Sequence, residues 1–286
     1  MYRSKNETAK ALELAKATRR LAPADGKLGH VLGRLAYENG EHTLSVGVLQ
    51  EAARRLETDP DAYFDLAEAA YSTGQIAVAE RAAEDALSQK AGFARANQAR
   101  QFLEFVQAVS DPAKAVTLVG HADTVLKANA NDVPALMVKA TALRQQGDAK
   151  TAREIFEKVL ARFPEFTPAH RNLAVLLSAS PADAKRGLEL ATKARTAFPA
   201  DAELAKAFGV MLYHQGNFTR ASTMLQEAAR ARTEDAEVQY FLGLTQRQLK
   251  NPAAGNKALE RAIELGLPAD RTAEARKALA EGKAAK

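Results

Sequence analysis

The chain has 286 residues, and its 40 Lys and Arg against 35 Asp and Glu give a formal charge of +5 with a pI near 9.3. Both signs are scattered, which is a mild bias and not the polybasic tract of a nucleic-acid or membrane-surface arm. There is no Cys, so disulfides, thiolate zinc sites and cysteine nucleophiles are excluded, and no apolar run approaches the roughly 20 residues of a membrane span.

From the N-terminus, Met1 to Asn6 lack the apolar core of a signal peptide, so export would need a signal outside these residues. Ala11, Ala15, Thr18 and Pro23 take the slots of a second helix with no first helix before them, so residues 1–25 read as a partial repeat of a trimmed fragment. Gly40 and Gly74 then stand thirty-four residues apart, and Gly147 and Gly216 fall near later multiples of that step. Small residues keep the same time: Gly33 with Ala67, Ala140 with Ala174, Gly209 with Gly243. Such a period predicts a helix-turn-helix solenoid, whose units bury their apolar faces only against neighbours.

The first full units are 26–59 and 60–93. In the first, Ser45, Leu49 and Ala52 form a small-large-small face on the second helix. In the second, Asp59-Pro60 supplies an N-cap and a proline at the first helical position. The unit 94–132 is several residues too long, its loop is Ser110-Asp111-Pro112, and a lengthened first helix is expected there. The unit 133–166 is the clearest, with Leu136, Ala140, Leu143, Gly147, Ala152, Phe156, Val159 and Pro164 in register. Units 167–201, 202–235 and 236–269 follow; the first has one extra residue in its Ser180-Pro181 loop, and in the last Asn251-Pro252 replaces the loop glycine. Residues 270–286 read as a capping helix, with Asp270 as N-cap and Gly282 as its stop. All ten prolines fall at predicted boundaries or first turns.

These slots resemble the tetratricopeptide repeat, whose small eighth, twentieth and twenty-seventh residues and terminal proline are matched most fully by Ala140, Ala152, Val159 and Pro164. From Thr167 onward the chain is further similar to the C-terminal repeats of large bacterial tetratricopeptide scaffolds, including lipoproteins. The resemblance implies an all-α, right-handed α-α superhelical solenoid of about seven helix pairs, with a lone N-terminal helix and a C-terminal cap, in one domain. The short, charge-interrupted apolar runs predict a soluble protein with no direct membrane insertion, and leave open whether its compartment is a bacterial cytoplasm or periplasm.

In that family the second, fifth, ninth, twelfth and thirteenth residues of each unit face a concave groove. The matching residues are His30, Arg34, Tyr37, Phe64, Glu68, Tyr71, Met137, Thr141, Arg144, Arg171, Lys206, Tyr213, His214, Tyr240 and Arg247. Taken singly these are ordinary half-exposed helix positions. Together, aromatic and cationic groups suit the capture of an extended peptide. Arg144, Arg171, Lys206 and Arg247 against the acidic Asp61, Asp65 and Glu68 give a bipolar groove that would favour a ligand with an acidic segment. Reversing the charge of Arg144, Arg171 and Lys206 is expected to leave stability near wild type. The co-chaperone clamp of the family is not carried over, because Arg171-Asn172 matches only a corner of it and the ninth-position asparagine is missing.

No catalytic set is visible. His30, His42, His121, His170 and His214 lack ligand spacing, Gly26-Lys27-Leu28-Gly29 lacks the context of a phosphate loop, and neither a metal nor a cofactor is expected. The leading expectation is a non-catalytic scaffold that binds a protein or peptide. The alternatives are the recognition arm of a larger enzyme, such as a glycosyltransferase, and a helical-repeat RNA-binding module, which the acidic second unit disfavours.

Overall fold

The computed structural model describes residues 5–89 and 93–284; Met1–Ser4, part of the stretch read for a leader, lie outside it. Among the described residues there are sixteen α-helices, one short 3-10 turn and no strand. After α1 (Lys5–Leu21) come the pairs α2 (Gly26–Glu38) with α3 (His42–Arg55), α4 (Pro60–Ser72) with α5 (Ile76–Ser88), α6 (Ala96–Ala108) with α7 (Pro112–Ala128), and α8 (Val133–Gln145) with α9 (Ala149–Arg162). Then follow α10 (Thr167–Leu177) with α11 (Ala184–Ala197), α12 (Ala202–His214) with α13 (Phe218–Ala231), α14 (Ala236–Gln248) with α15 (Pro252–Glu264), and finally α16 (Ala269–Ala284). The chain forms two compact units, Met1–Ala169 and His170–Lys286.

The helix starts follow from local chemistry. Asp25, Asp59, Asp111, Asp132, Asp148, Asp201 and Asp235 each accept a backbone N–H in the first turn of the helix they precede. In five of the seven pairs the stop between the helices has one geometry, whereas the α6–α7 and α10–α11 connections contain no left-handed residue. The loop glycines Gly40, Gly74, Gly147 and Gly216 all have φ between 73° and 90°, and the residue after each donates back across the helix end, as Gln75 does to Ala70 at 2.9 Å. In the last pair Lys250 holds the glycine's place at φ 58° with the same bonds, Lys250 to Arg247 and Asn251 to Gln246.

Pairing within the regular units rests on a small eighth residue meeting the twenty-fourth. A Cβ added to Gly33 would lie 2.5 Å from the Leu49 Cγ, and the same addition at Gly209 and Gly243 would lie 2.6 Å and 2.7 Å from Leu225 and Leu259. Where the eighth residue is alanine, at Ala67, Ala140 and Ala174, it is fully buried. The crossing therefore admits a methyl group at most, and the leucine opposite decides whether it admits even that.

Two expectations are corrected. The extra length of the third unit lies in its second helix: α7 has 17 residues, whereas α6 has the usual 13. Pro112 and the Asp111 cap fix where α7 begins, and the helix continues through Gly120 to Ala128, with Asn129 as its C-cap. At the C-terminus Asp270 lies inside the first turn of α16, where Thr272 already donates to Pro268, and the helix runs through Gly282. The extra residue at Ser180-Pro181 is taken up by a 3-10 turn over Pro181–Asp183, outside the paired helices.

Lys250→Gly should raise the melting temperature, because a left-handed lysine costs about 1 to 2 kcal/mol and the greater freedom of glycine in the unfolded chain offsets only part of that. In thermal unfolding, Ala140→Leu should cost about 1 to 3 kcal/mol by overpacking, whereas Ala149→Leu, at the exposed start of α9, should sit close to wild type.

Candidate functional site

In the unit Met1–Ala169 a hollow of about 660 Å³ opens between the first helices and α7. Its floor is the buried aromatic set Phe64, Tyr71, Phe102 and Phe105. Phe102 stands edge-on to Phe64 and Tyr71 at 5.8 Å and 5.6 Å. The open wall is polar, with Gln98, Gln101, Thr124 and Asn129, and Tyr37 and Ser72 share a hydrogen bond of 2.9 Å at one side.

The end of α9 closes the far side. The Phe163 ring lies 4.6 Å from His42 and 6.3 Å from Tyr37, Phe166 lies 5.0 Å from Tyr71, and Arg162 lines the hollow. Burial and the nearby Arg162 charge hold the His42 imidazole below its usual range, so it is neutral where it meets Phe163. The fourth repeat thus reaches back to the first and second, whereas a simple stack joins only neighbours. That return makes the surface of this unit concave.

Carboxylates dominate the electrostatics. Arg95 spans Asp65 at 2.5 Å and Glu68 at 2.7 Å and lies over the Phe64 ring at 4.4 Å. His30 adds a bond to Asp65 at 2.6 Å, and Arg34 approaches it at 3.4 Å. Burial pushes the Asp65 carboxyl up, but the bonds from His30 and Arg95 outweigh it and hold the group below the usual carboxylate range. Glu68 goes the other way. Its site deep in the concavity raises it more than the Arg95 charge lowers it, and Asp65 and Asp132 add to the rise, although the side chain remains open to the hollow. Burial likewise raises Asp132, which caps α8 through Ala135 N–H at 3.0 Å.

The unit His170–Lys286 carries a different arrangement. Arg171 binds Asp201 at 2.8 Å and Glu203 at 2.6 Å, and Lys206 repeats this one unit later with Asp235 at 3.1 Å and Glu237 at 2.6 Å. Each cation is the fifth residue of its repeat, and its acids flank the start of the next. Arg271 then pairs with Glu237, and Tyr240 donates to Glu274, which ties α16 to α14. Burial works against ionisation of Asp201, but the Arg171 bonds and charge prevail and hold its carboxyl below the usual range.

Of the residues read from the sequence, Tyr37, Phe64, Glu68 and Tyr71 line the hollow, and His30 and Arg34 adjoin it through Asp65. Met137 and Thr141 are fully buried in α8, which packs against α6, α7 and α9. Arg144 is half-buried on the same helix. Tyr240 is buried, Tyr213 and His214 join Phe218 and Phe241 in an aromatic cluster, and Arg247 bonds Asn256 at 2.8 Å beside Gly255. Arg171 and Lys206 are ion-paired across repeats, so reversing them would set like charges against Asp201, Glu203 and Asp235. The expectation that such variants keep wild-type stability is corrected on that ground.

The groove reading missed Arg95, Gln98, Phe102 and Phe105. They are the second, fifth, ninth and twelfth residues of the unit 94–132, the same slots used elsewhere, and the irregular length of that unit hid them. His121 and Arg162 lie on second helices, outside those slots, and Asp132 entered the sequence reading only as the last residue of the unit.

Tetratricopeptide repeat profiles match residues 30–95, 133–176 and 207–266, which together make up more than half of the sequence. The chain belongs to the tetratricopeptide repeat family. Its repeats are protein-interaction modules, the family is generally non-catalytic, and membership supports a role as a protein–protein interaction scaffold. Among solved structures, MamA MSR-1 is similar at 20% identity and a TM-score of 0.45, over 58% of this chain and 96% of that one. MamA from Desulfovibrio magneticus RS-1 is similar at 15% identity and a TM-score of 0.37, over 84% and 94%. A thermophilic tetratricopeptide protein of Thermus thermophilus is similar at 21% and 0.41, over 65% and 99%. No curated protein matches the sequence. Among the described residues no helix is long and apolar enough to cross a membrane, and no group of three or more potential metal ligands is found.

Arg95→Met should lower stability by about 3 kcal/mol in denaturant unfolding, because it leaves Asp65 and Glu68 without their shared cation. Asp65 adds its own pH dependence. Its folded pKa is depressed, so its contribution is complete above the unfolded carboxylate value and is lost as pH falls through the folded value. An acid titration of the melting temperature should therefore show a steeper low-pH loss for wild type than for an Asp65→Asn variant.

Proposed function

We propose that this chain is a scaffold that holds a segment of a partner protein in the hollow of its N-terminal unit. The observation that supports this most is the hollow itself, about 660 Å³, within the size range of ligand sites. It has a buried aromatic floor for side-chain anchors and an accessible amide wall able to bond a peptide backbone. The elements around it come from all four repeats of that unit, so a bound segment would touch several first helices at once. The preference for an acidic segment is not retained here, because Arg171 and Lys206 already meet carboxylates of their own chain.

Filling the hollow tests the proposal. Thr124 is an exposed lining residue, and Thr117, on the same helix, is exposed and lies outside the lining. Thr124→Trp should abolish partner capture from a lysate of the source organism with unchanged helicity, while Thr117→Trp should retain it. Equal capture by both variants would remove the hollow as the binding site.

A further inference from the structure

Building on the scaffold reading, we infer that the hollow selects a basic side chain, lysine or arginine, of the bound segment. Two carboxylates face the same space, Glu68 and Asp132. Glu68 has Arg95, but that guanidinium is already divided between Asp65 and Glu68. Asp132 accepts the Ala135 N–H, and no cation lies within ion-pair distance of it among the described residues. It lines the hollow together with Tyr37, Glu68 and Tyr71 and is half-buried there.

Three further features suit a cation. Aromatic faces attract one directly, and the chain itself uses this when Arg95 settles over Phe64 at 4.4 Å. The Tyr71 hydroxyl is buried in the lining and has no hydrogen-bond partner among the described residues, so it is free to accept from an incoming N–H donor. Burial raises the Glu68 and Asp132 carboxyls and so opposes their ionisation, and a ligand cation beside them would offset that opposition. Arg162, the cation in the lining, stands over Phe163 at 4.9 Å. A glutamate or aspartate anchor would instead enter beside two carboxylates.

Asp132→Asn separates this function from folding. Asparagine caps a helix as well as aspartate does, and the substitution removes a carboxyl whose ionisation burial opposes, so the variant should be at least as stable as wild type at neutral pH. The probe is a synthetic peptide array in which each sequence appears in lysine or arginine, glutamine and glutamate versions. Wild type should retain the basic versions, and Asp132→Asn should weaken that retention by about tenfold while its melting temperature holds. Equal or better retention of the glutamine or glutamate versions, or an unchanged profile for Asp132→Asn, would overturn the basic anchor; if Thr124→Trp still blocked capture, the scaffold reading would survive. Retention of no peptide of any charge would overturn both.

Discussion

The structure depends on one close approach repeated in the regular units of the chain, that of a small eighth residue to the twenty-fourth, as at Gly33, Gly209 and Gly243. Where Leu49, Leu225 and Leu259 fill the crossing, the residue opposite is glycine, and a single methyl group there would meet the leucine at 2.7 Å or less. Helices that cross this closely leave little freedom in their relative position, because packed side chains yield by fractions of an ångström. Within each compact unit the residues on the far faces of the first helices are thereby carried in a row. The turn after five of the seven first helices adds the second constraint, a left-handed residue that reverses the chain in a few positions.

The same row of positions is used in two ways. In the unit His170–Lys286 the fifth residues Arg171 and Lys206 reach forward to acids at the start of the next repeat, and each charge is met within the chain. Such partly buried pairs fix the register of neighbouring repeats more than they add net stability. In the unit Met1–Ala169 the balance differs. Asp65 is engaged by His30 and Arg95, but Glu68 and Asp132 line the hollow, where burial opposes their ionisation. Groups held in a state that burial opposes are a common mark of a binding site, where stability is given up for recognition.

Much of the architecture was legible in the sequence because it rests on periodic, local signals. The glycines Gly40, Gly74, Gly147 and Gly216, the prolines at helix starts, and the small eighth residues each report a backbone or packing requirement at a fixed offset. The third unit resisted because its insertion lengthened α7, and nothing in the residues around Pro112 distinguishes a longer second helix from a longer first one. The site was legible in part. Tyr37, Phe64, Glu68 and Tyr71 follow from the groove slots, but their closure by Phe163 and Phe166 joins residues about a hundred positions apart, which no local pattern encodes. The ion pairs of Arg171 and Lys206 were hidden for a related reason: slot numbers give a residue's face, not the partner that the next repeat brings to it.

The central claim is that the hollow between the first helices and α7 is where a partner segment lies. The most direct test is to map a captured peptide on the isotope-labelled protein by its effect on individual resonances. The account predicts the largest shifts at Tyr37, Phe64, Gln98, Gln101, Thr124 and Asn129, with little change along α3 and α5. Shifts confined to α3, α5 and the outer face of α9, with the hollow residues unmoved, would contradict it.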